Sequence, residues 1–201
     1  GIYIDASSIS CLTNLTSFGG VPPTGYIQTS GGGDREFALY WLNPNTSAGQ
    51  NLVIAANASA NIGAGYYALQ LSGVDTNAPV IETGATTTDA SSVNITTTAA
   101  NSLIVSFYSA NDSGLTLTPT APLTQIGSTM NAINGIGGGG SLAVATNTLV
   151  VPGTMNLAWS SSGTLNQQGV NGLAFAPIVI AAPAGPEPLT NSYNAGTGIL
   201  S

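Results

Sequence analysis

Apolar residues in this chain recur at every second position, and nowhere does a helical period persist over a helix length, so the chain is restricted to β-structure. The densest case is residues 37–80, FALYWLNPNTSAGQNLVIAANASANIGAGYYALQLSGVDTNAPV. Phe37, Leu39 and Trp41 share one face of a first run, and Leu52, Ile54 and Ala56 share one face of a second. In a third run Tyr67, Leu69 and Leu71 lie on one side, with Tyr66, Ala68 and Gln70 on the other. Strand side chains alternate between faces, so each run is read as a strand with one core face. Asn43-Pro44 and Gly49 punctuate the chain after the first run, Gly63 and Gly65 after the second, and Gly73, Asp75 and Pro79 after the third.

The same pattern continues on both sides. Gly1–Asp5 is a short strand with Ile2 and Ile4 on one face, whereas Ser7–Phe18 alternates only weakly. Thr29–Asp34 is read as a loop, because a Gly31-Gly32-Gly33 run is entropically costly in a strand. Ser91–Thr98 points Val93 and Ile95 inward, and Ser102–Ser109 sets Leu103, Val105 and Phe107 against Ser102, Ile104, Ser106 and Tyr108. Leu115–Thr118 and Leu123–Ile126 are shorter candidates beside Pro119 and Pro122. Gly135–Gly140 is a glycine-rich loop with no Walker lysine after it. Ser141–Val151 and Thr154–Ser160 follow, the latter with Met155, Leu157 and Trp159 on one face, and Val170–Ala176 points Leu173 and Phe175 inward. About ten or eleven strands with turn signals between them predict an all-β fold, a two-sheet antiparallel sandwich over residues 1–177. Residues 178–201 read as a separate C-terminal extension, stiffened by Pro183, Pro186 and Pro188.

Composition narrows the function classes. Hydrophobic residues make up 43% of the 201-residue chain, enough for a core, but only 4% are charged; an ordinary soluble domain carries about 25%. Arg35 is the one cation, and there is no Lys or His. The surface is therefore covered by Ser, Thr, Asn, Gln and Gly, and repels copies of itself only weakly. With a net charge of −7, nucleic acid and anionic membranes are not expected partners. Cys11 is the sole cysteine, so no internal disulfide forms; burial as a small hydrophobe is the default reading, with an intermolecular thiol as the alternative. No apolar run reaches the ~20 residues of a membrane-spanning helix. No signal peptide is visible, and the chain opens at Gly1 without Met, so a leader or an initiator Met is expected to have been removed.

Catalytic chemistry has few groups to draw on. Without His or Lys, the usual general bases and Schiff-base nucleophiles are missing, and Cys11 has no imidazole partner. The carboxylates Asp5, Asp34, Glu36, Asp75, Glu82, Asp89, Asp112 and Glu187 are scattered, whereas glycosidase chemistry needs two flanking one bond. The chain is therefore expected to have no catalytic residues and no cofactor. Asp75, Asp89 and Asp112 are the residues from which a calcium site could be assembled, but no Asp-x-Asp-x-Asp-Gly loop occurs and no metal site is predicted. The sequons at Asn14, Asn45, Asn57, Asn94 and Asn111 are what a chain rich in Asn and Thr produces by chance. Tyr3, Tyr26, Tyr40, Tyr66, Tyr108 and Tyr193 lie mostly on faces read as opposite the core; of these Tyr26, Tyr40, Tyr66 and Tyr108 are the candidate glycan contacts, with packing or subunit contact as the stronger reading. Ile178, Val179, Ile180, Ile199 and Leu200 in the extension are too few to build a core and are candidate contacts with a neighbouring subunit, the alternative being that the tail folds back on its own domain.

Two clusters of residues carry a resemblance. Tyr40-Trp41-Leu42-Asn43-Pro44, then Ser72-Gly73-Val74-Asp75 with Pro79, resemble a β-sandwich module that recurs in secreted bacterial surface proteins and phage structural proteins. The Ser102–Ser109 strand, Gly137–Gly140, Trp159 and Gly172–Pro177 fit it more loosely. The resemblance implies a jelly-roll-like fold and a structural or adhesive role, with no reaction. The module has a longer N-terminal part, so one sheet position is expected to be empty or filled from elsewhere. Together with the nearly uncharged surface, it implies a non-enzymatic structural protein on a virion surface, a phage capsid decoration, cement or fibre component. Its partners would be copies of itself or another virion protein. The alternative is an extracellular, cell-surface filament subunit or glycan-binding adhesin.

Overall fold

A computed structural model describes residues 2–5, 14–18, 25–30, 35–41, 52–55, 63–66, 80–85, 89–110, 114–127, 130–131, 140–165, 168–177, 193–194 and 199–200, and positions 69, 71, 73, 75 and 112. Side chains are described at 69, 71, 73, 75 and 112 and over 89–110, 114–127, 140–165 and 168–177. Every regular element among these residues is a strand, seventeen segments in all. In chain order they are β1 (Ile2–Asp5), β2 (Asn14–Phe18), β3 (Gly25–Ser30), β4 (Arg35–Trp41), β5 (Leu52–Ala55), β6 (Gly63–Tyr66), β7 (Val80–Ala85), β8 (Ser92–Thr97), β9 (Ser102–Ala110), β10 (Leu117–Pro119), β11 (Thr124–Gln125), β12 (Met130–Asn131), β13 (Ser141–Leu149), β14 (Gly153–Ser161), β15 (Gln168–Phe175), β16 (Tyr193–Asn194) and β17 (Ile199–Leu200).

Two antiparallel sheets pack face to face as a sandwich. One has the order β11-β13-β9-β15-β7, with β12 also on β13; the other is β10-β14-β8. Between them lie Ile95, Met155, Leu157 and Trp159 from the three-stranded sheet and Ile104, Tyr108, Ala143, Ala145, Val170 and Ala174 from the six-stranded one. Each fully buried aliphatic side chain contributes roughly 1.5–3 kcal/mol by leaving water, so this layer is what holds the sheets together.

Its centre is a matched pair of aromatics. The rings of Tyr108 on β9 and Trp159 on β14 stack with centroids 5.6 Å apart and planes 23° from parallel. The indole Nε1–H of Trp159 donates to Ser106 Oγ at 2.9 Å, a buried bond. Register explains why the indole fits there. Ser106 lies opposite Ala145 on one side and Gly172 on the other, a row without bulky side chains that leaves room beneath the ring.

The opposite face of the six-stranded sheet is buried as well. Val105, Phe107, Leu142, Val144, Leu173 and Phe175 form a second cluster, with Leu71, Leu103 and Ile126 packed against it. The backbones of β3 and β4 lie against β15, and β6 approaches β13. Those strands belong to a four-stranded sheet of order β3-β4-β1-β6. The remaining described strands pair as β2 with β5 and β16 with β17.

Several expectations change. β9 and β15 were expected to have one core face each, but both of their faces are buried. Alternation identified the two sides correctly without revealing that both would be covered. Within the third run of the 37–80 stretch, the described residues Leu69 and Leu71 lie outside regular structure, as do Gly73 and Asp75, whereas Gly63–Tyr66 form β6. Leu71 packs against the second cluster, and the Asp75 amide donates to the Ala176 carbonyl at 2.9 Å. Leu69 of the same run is exposed, so the two leucines do not share one buried face. Gly63 and Gly65, read as breakers, sit inside β6 opposite Asp5 and Tyr3. β3 continues to Ser30 through residues read as the start of a loop, held by its ladder to β4. β2 and β7 had no clear sequence signal. Cys11 and the 178–180 segment lie outside the described residues.

Candidate functional site

The outer surface of the three-stranded sheet is a flat field of short, uncharged polar side chains. Strands β8 and β14 pair in unbroken register, with Ile95 opposite Met155 and Asn94 opposite Asn156. Val93, Ile95 and Thr97 turn towards the core, so Ser92, Asn94 and Thr96 must face solvent, as must Thr154, Asn156 and Ser160 on β14. The outward residues bond like to like across the strands. Asn156 Nδ2 donates to Asn94 Oδ1 at 2.8 Å, and the Thr96 and Thr154 hydroxyls are 2.7 Å apart. Ser160 Oγ extends the field towards β10 by donating to the Thr118 carbonyl at 3.3 Å. No charged side chain interrupts these strands. At the end of the β13–β14 hairpin, Val150 and Val151 are 65% and 66% exposed, the most exposed large apolar residues among those described.

At the other end of β14 an open depression is lined by Ser91, Tyr108, Trp159, Ser160, Ser161, Gly163, Leu165 and Gln168. The Tyr108 hydroxyl donates to Gln168 Oε1. Gln168 Nε2 donates in turn to the Asp89 carbonyl at 3.2 Å. Asp89 is in the left-handed region, φ 53°, in the turn entering β8. Gln168 therefore ties the floor of the depression to the start of the outer sheet. Burial pushes the Tyr108 phenol up to about 12, because the ionised form loses its hydration.

The candidate glycan tyrosines do not share one environment. Tyr108 was placed opposite the core, but its side chain has no accessible surface. The correction follows from the two-sided burial of β9: the face opposite one core is the face of the other. Tyr26 and Tyr40 are direct register partners on β3 and β4. Through Ala38 and Ile2 the register carries the same sheet face to Tyr66 on β6. The fold thus gathers three of the four on one face of the four-stranded sheet. Of the candidate subunit contacts, Ile199 and Leu200 form β17 and pair with Asn194 and Tyr193 of the same extension. Ile178, Val179 and Ile180 lie outside the described residues.

Asp75, Asp89 and Asp112 are not brought together: among the described residues no group of three or more His, Cys, Asp or Glu is placed to hold a metal. Each serves a local backbone role instead. The Asp75 amide closes onto Ala176, Asp89 shapes the turn before β8, and the Asp112 carbonyl accepts from Ser141 Oγ at 2.8 Å. Sequence reasoning did not pick out Gln168 or the Asn94–Asn156 and Thr96–Thr154 pairs. The latter were open to it, since aligning the two alternating strands through their apolar faces brings these residues opposite one another. No family model, curated protein or solved structure matches the chain.

Proposed function

We propose that the chain is a non-enzymatic structural subunit of a virion surface, a phage capsid decoration, cement or fibre component that works through contacts with other subunits. The observation that carries this reading is the outer face of β8 and β14, where Asn94 pairs with Asn156, Thr96 pairs with Thr154 and no side chain is charged. Such a face carries no charge to repel a copy of itself, which suits contact between subunits. Val150 and Val151 add an exposed apolar tip at one end of it. The lack of His and Lys and the resemblance of the Tyr40–Pro44 and Ser72–Asp75 segments point the same way. The test is to sediment a lysate of the source organism and label it with an antibody against this chain. Co-sedimentation with particles and labelling of their surface is the expected result. Recovery of the chain only from medium or cell envelope, with particles unlabelled, overturns it.

The gathering of Tyr26, Tyr40 and Tyr66 on one sheet face favours a second reading, a glycan-binding surface protein. Aromatic faces stack on sugar rings, and several on one face would set the spacing of bound units. Under this reading a glycan array gives saccharide binding that is lost in Tyr26→Ala and Tyr40→Ala. A blank array removes it.

A further inference from the structure

We infer that the edge of β8 away from β14 pairs with the β8 edge of a second copy of this chain, antiparallel and two-fold, centred on Asn94. The inference rests on the structural role proposed above for its biological setting, and it names the contact and the partner. Main-chain phase comes first. The Trp159 amide donates to the Ser91 carbonyl at 2.9 Å, and the register then runs unbroken from Ser92 opposite Ala158 to Thr97 opposite Gly153. Bonded and non-bonded pairs alternate along an antiparallel ladder. Val93, Ile95 and Thr97 therefore spend their amides and carbonyls on β14, while those of Ser92, Asn94 and Thr96 point away from it. Among the described strands β8 is hydrogen-bonded to none but β14, although β7 and β15 approach it, and these three residues are exposed.

The other edges of the sandwich are protected. β10 is three residues long and ends in Pro119, which has no amide to offer. β11 and β12 are two residues each. β7 carries Glu82, and its ladder shifts register at Ala174/Phe175. Short strands, proline, charge and bulges are how proteins keep sheet edges from pairing. The six residues SVNITT of β8 use none of them.

The sequence of the edge selects a copy of itself. Only the outward phase can pair, and of the registers it allows the one centred on Asn94 pairs all three outward residues: Asn94 meets Asn94 of the copy and Ser92 meets Thr96. Between them Val93 meets Ile95 on the inner side. Polar residues oppose polar ones on the solvent face, and apolar residues oppose apolar ones beneath. Asn94 already makes an amide-to-amide bond with Asn156, and the two-fold pairing repeats that chemistry. The chain has a net charge of −7, so two copies must meet where neither presents a carboxylate, and neither β8 nor the β14 segment beside it has one. A charged partner finds no complement there.

Sedimentation of the full chain over a concentration series tests this, with dimer as the expected species. Asn94→Lys and Asn94→Asp each put like charges face to face across the axis and are each expected to abolish the dimer. Mixing the two variants is expected to restore it as a heterodimer. Asn156→Lys, on the same sheet face but one strand inward, is expected to leave it intact. A wild-type monomer throughout, a dimer that persists in Asn94→Lys, or failure of the mixed variants to associate overturns the inference. Loss of the dimer in Asn156→Lys also overturns it, by assigning contact to the sheet face. Particle labelling separates this from the structural reading: labelled particles with a wild-type chain that stays monomeric remove the edge contact alone, and unlabelled particles with an intact dimer remove the structural reading alone.

Discussion

Strands β9 and β14 are both nine residues long and face each other across the same core, yet they use polar residues in opposite ways. On β14 the polar residues Thr154, Asn156 and Ser160 alternate out to solvent. On β9 Ser102, Ser106 and Ser109 are buried, because both faces of that strand are covered. A buried hydroxyl is tolerated when it finds a partner. Ser102 Oγ donates to the Ala99 carbonyl at 2.7 Å, and Ser106 Oγ accepts from the Trp159 indole. The lesson is that serine in this chain marks neither surface nor core. Its meaning depends on whether a second layer lies over the strand.

The sharpest way to break the comparison is at its centre. Trp159→Ala empties the space above the Ser106 row and is expected to cost about 3–5 kcal/mol, read from the denaturant midpoint. A loss comparable to a surface substitution would mean that the two sheets do not depend on this contact. Next is Ser106→Ala, which orphans the indole N–H in a dry site at an expected cost of about 1–3 kcal/mol. If it is neutral, burial of β9 serines is incidental.

Tyr108→Phe removes the bond to Gln168 and is expected to cost about 1 kcal/mol at neutral pH. It also carries a pH signature. An unfolded tyrosine ionises near pH ~10, and folded Tyr108 holds its proton to about 12. Its contribution is therefore complete below the lower value and is lost as pH rises through the upper one, since the unfolded chain gives up the proton first. The wild type should lose more stability than Tyr108→Phe across that window; parallel curves would refute the burial. Smallest of all, Asn156→Ala on the exposed face should shift stability by no more than ~0.5 kcal/mol. A larger loss would show that the outer polar ladder holds the sandwich and does not merely cover it.

The all-β class, the strands β4, β5, β8, β9, β13, β14 and β15, and the inward set Ile95, Met155, Leu157 and Trp159 follow from the chain alone. Period-two patterning is local, and so is the turn chemistry that ends each run. The glycines of β6 and the positions of Leu69 and Leu71 differ from the reading because a strand needs a partner for its backbone, and residues near in sequence do not reveal who that partner is. Likewise, Tyr108 looked outward-facing because one apolar face on β9 was enough to explain its alternation. The second layer, the small-residue row under Trp159 and the open edge at Asn94 exist only once strands distant in the chain are brought side by side. Tertiary structure decided them because burial and pairing belong to the space between strands.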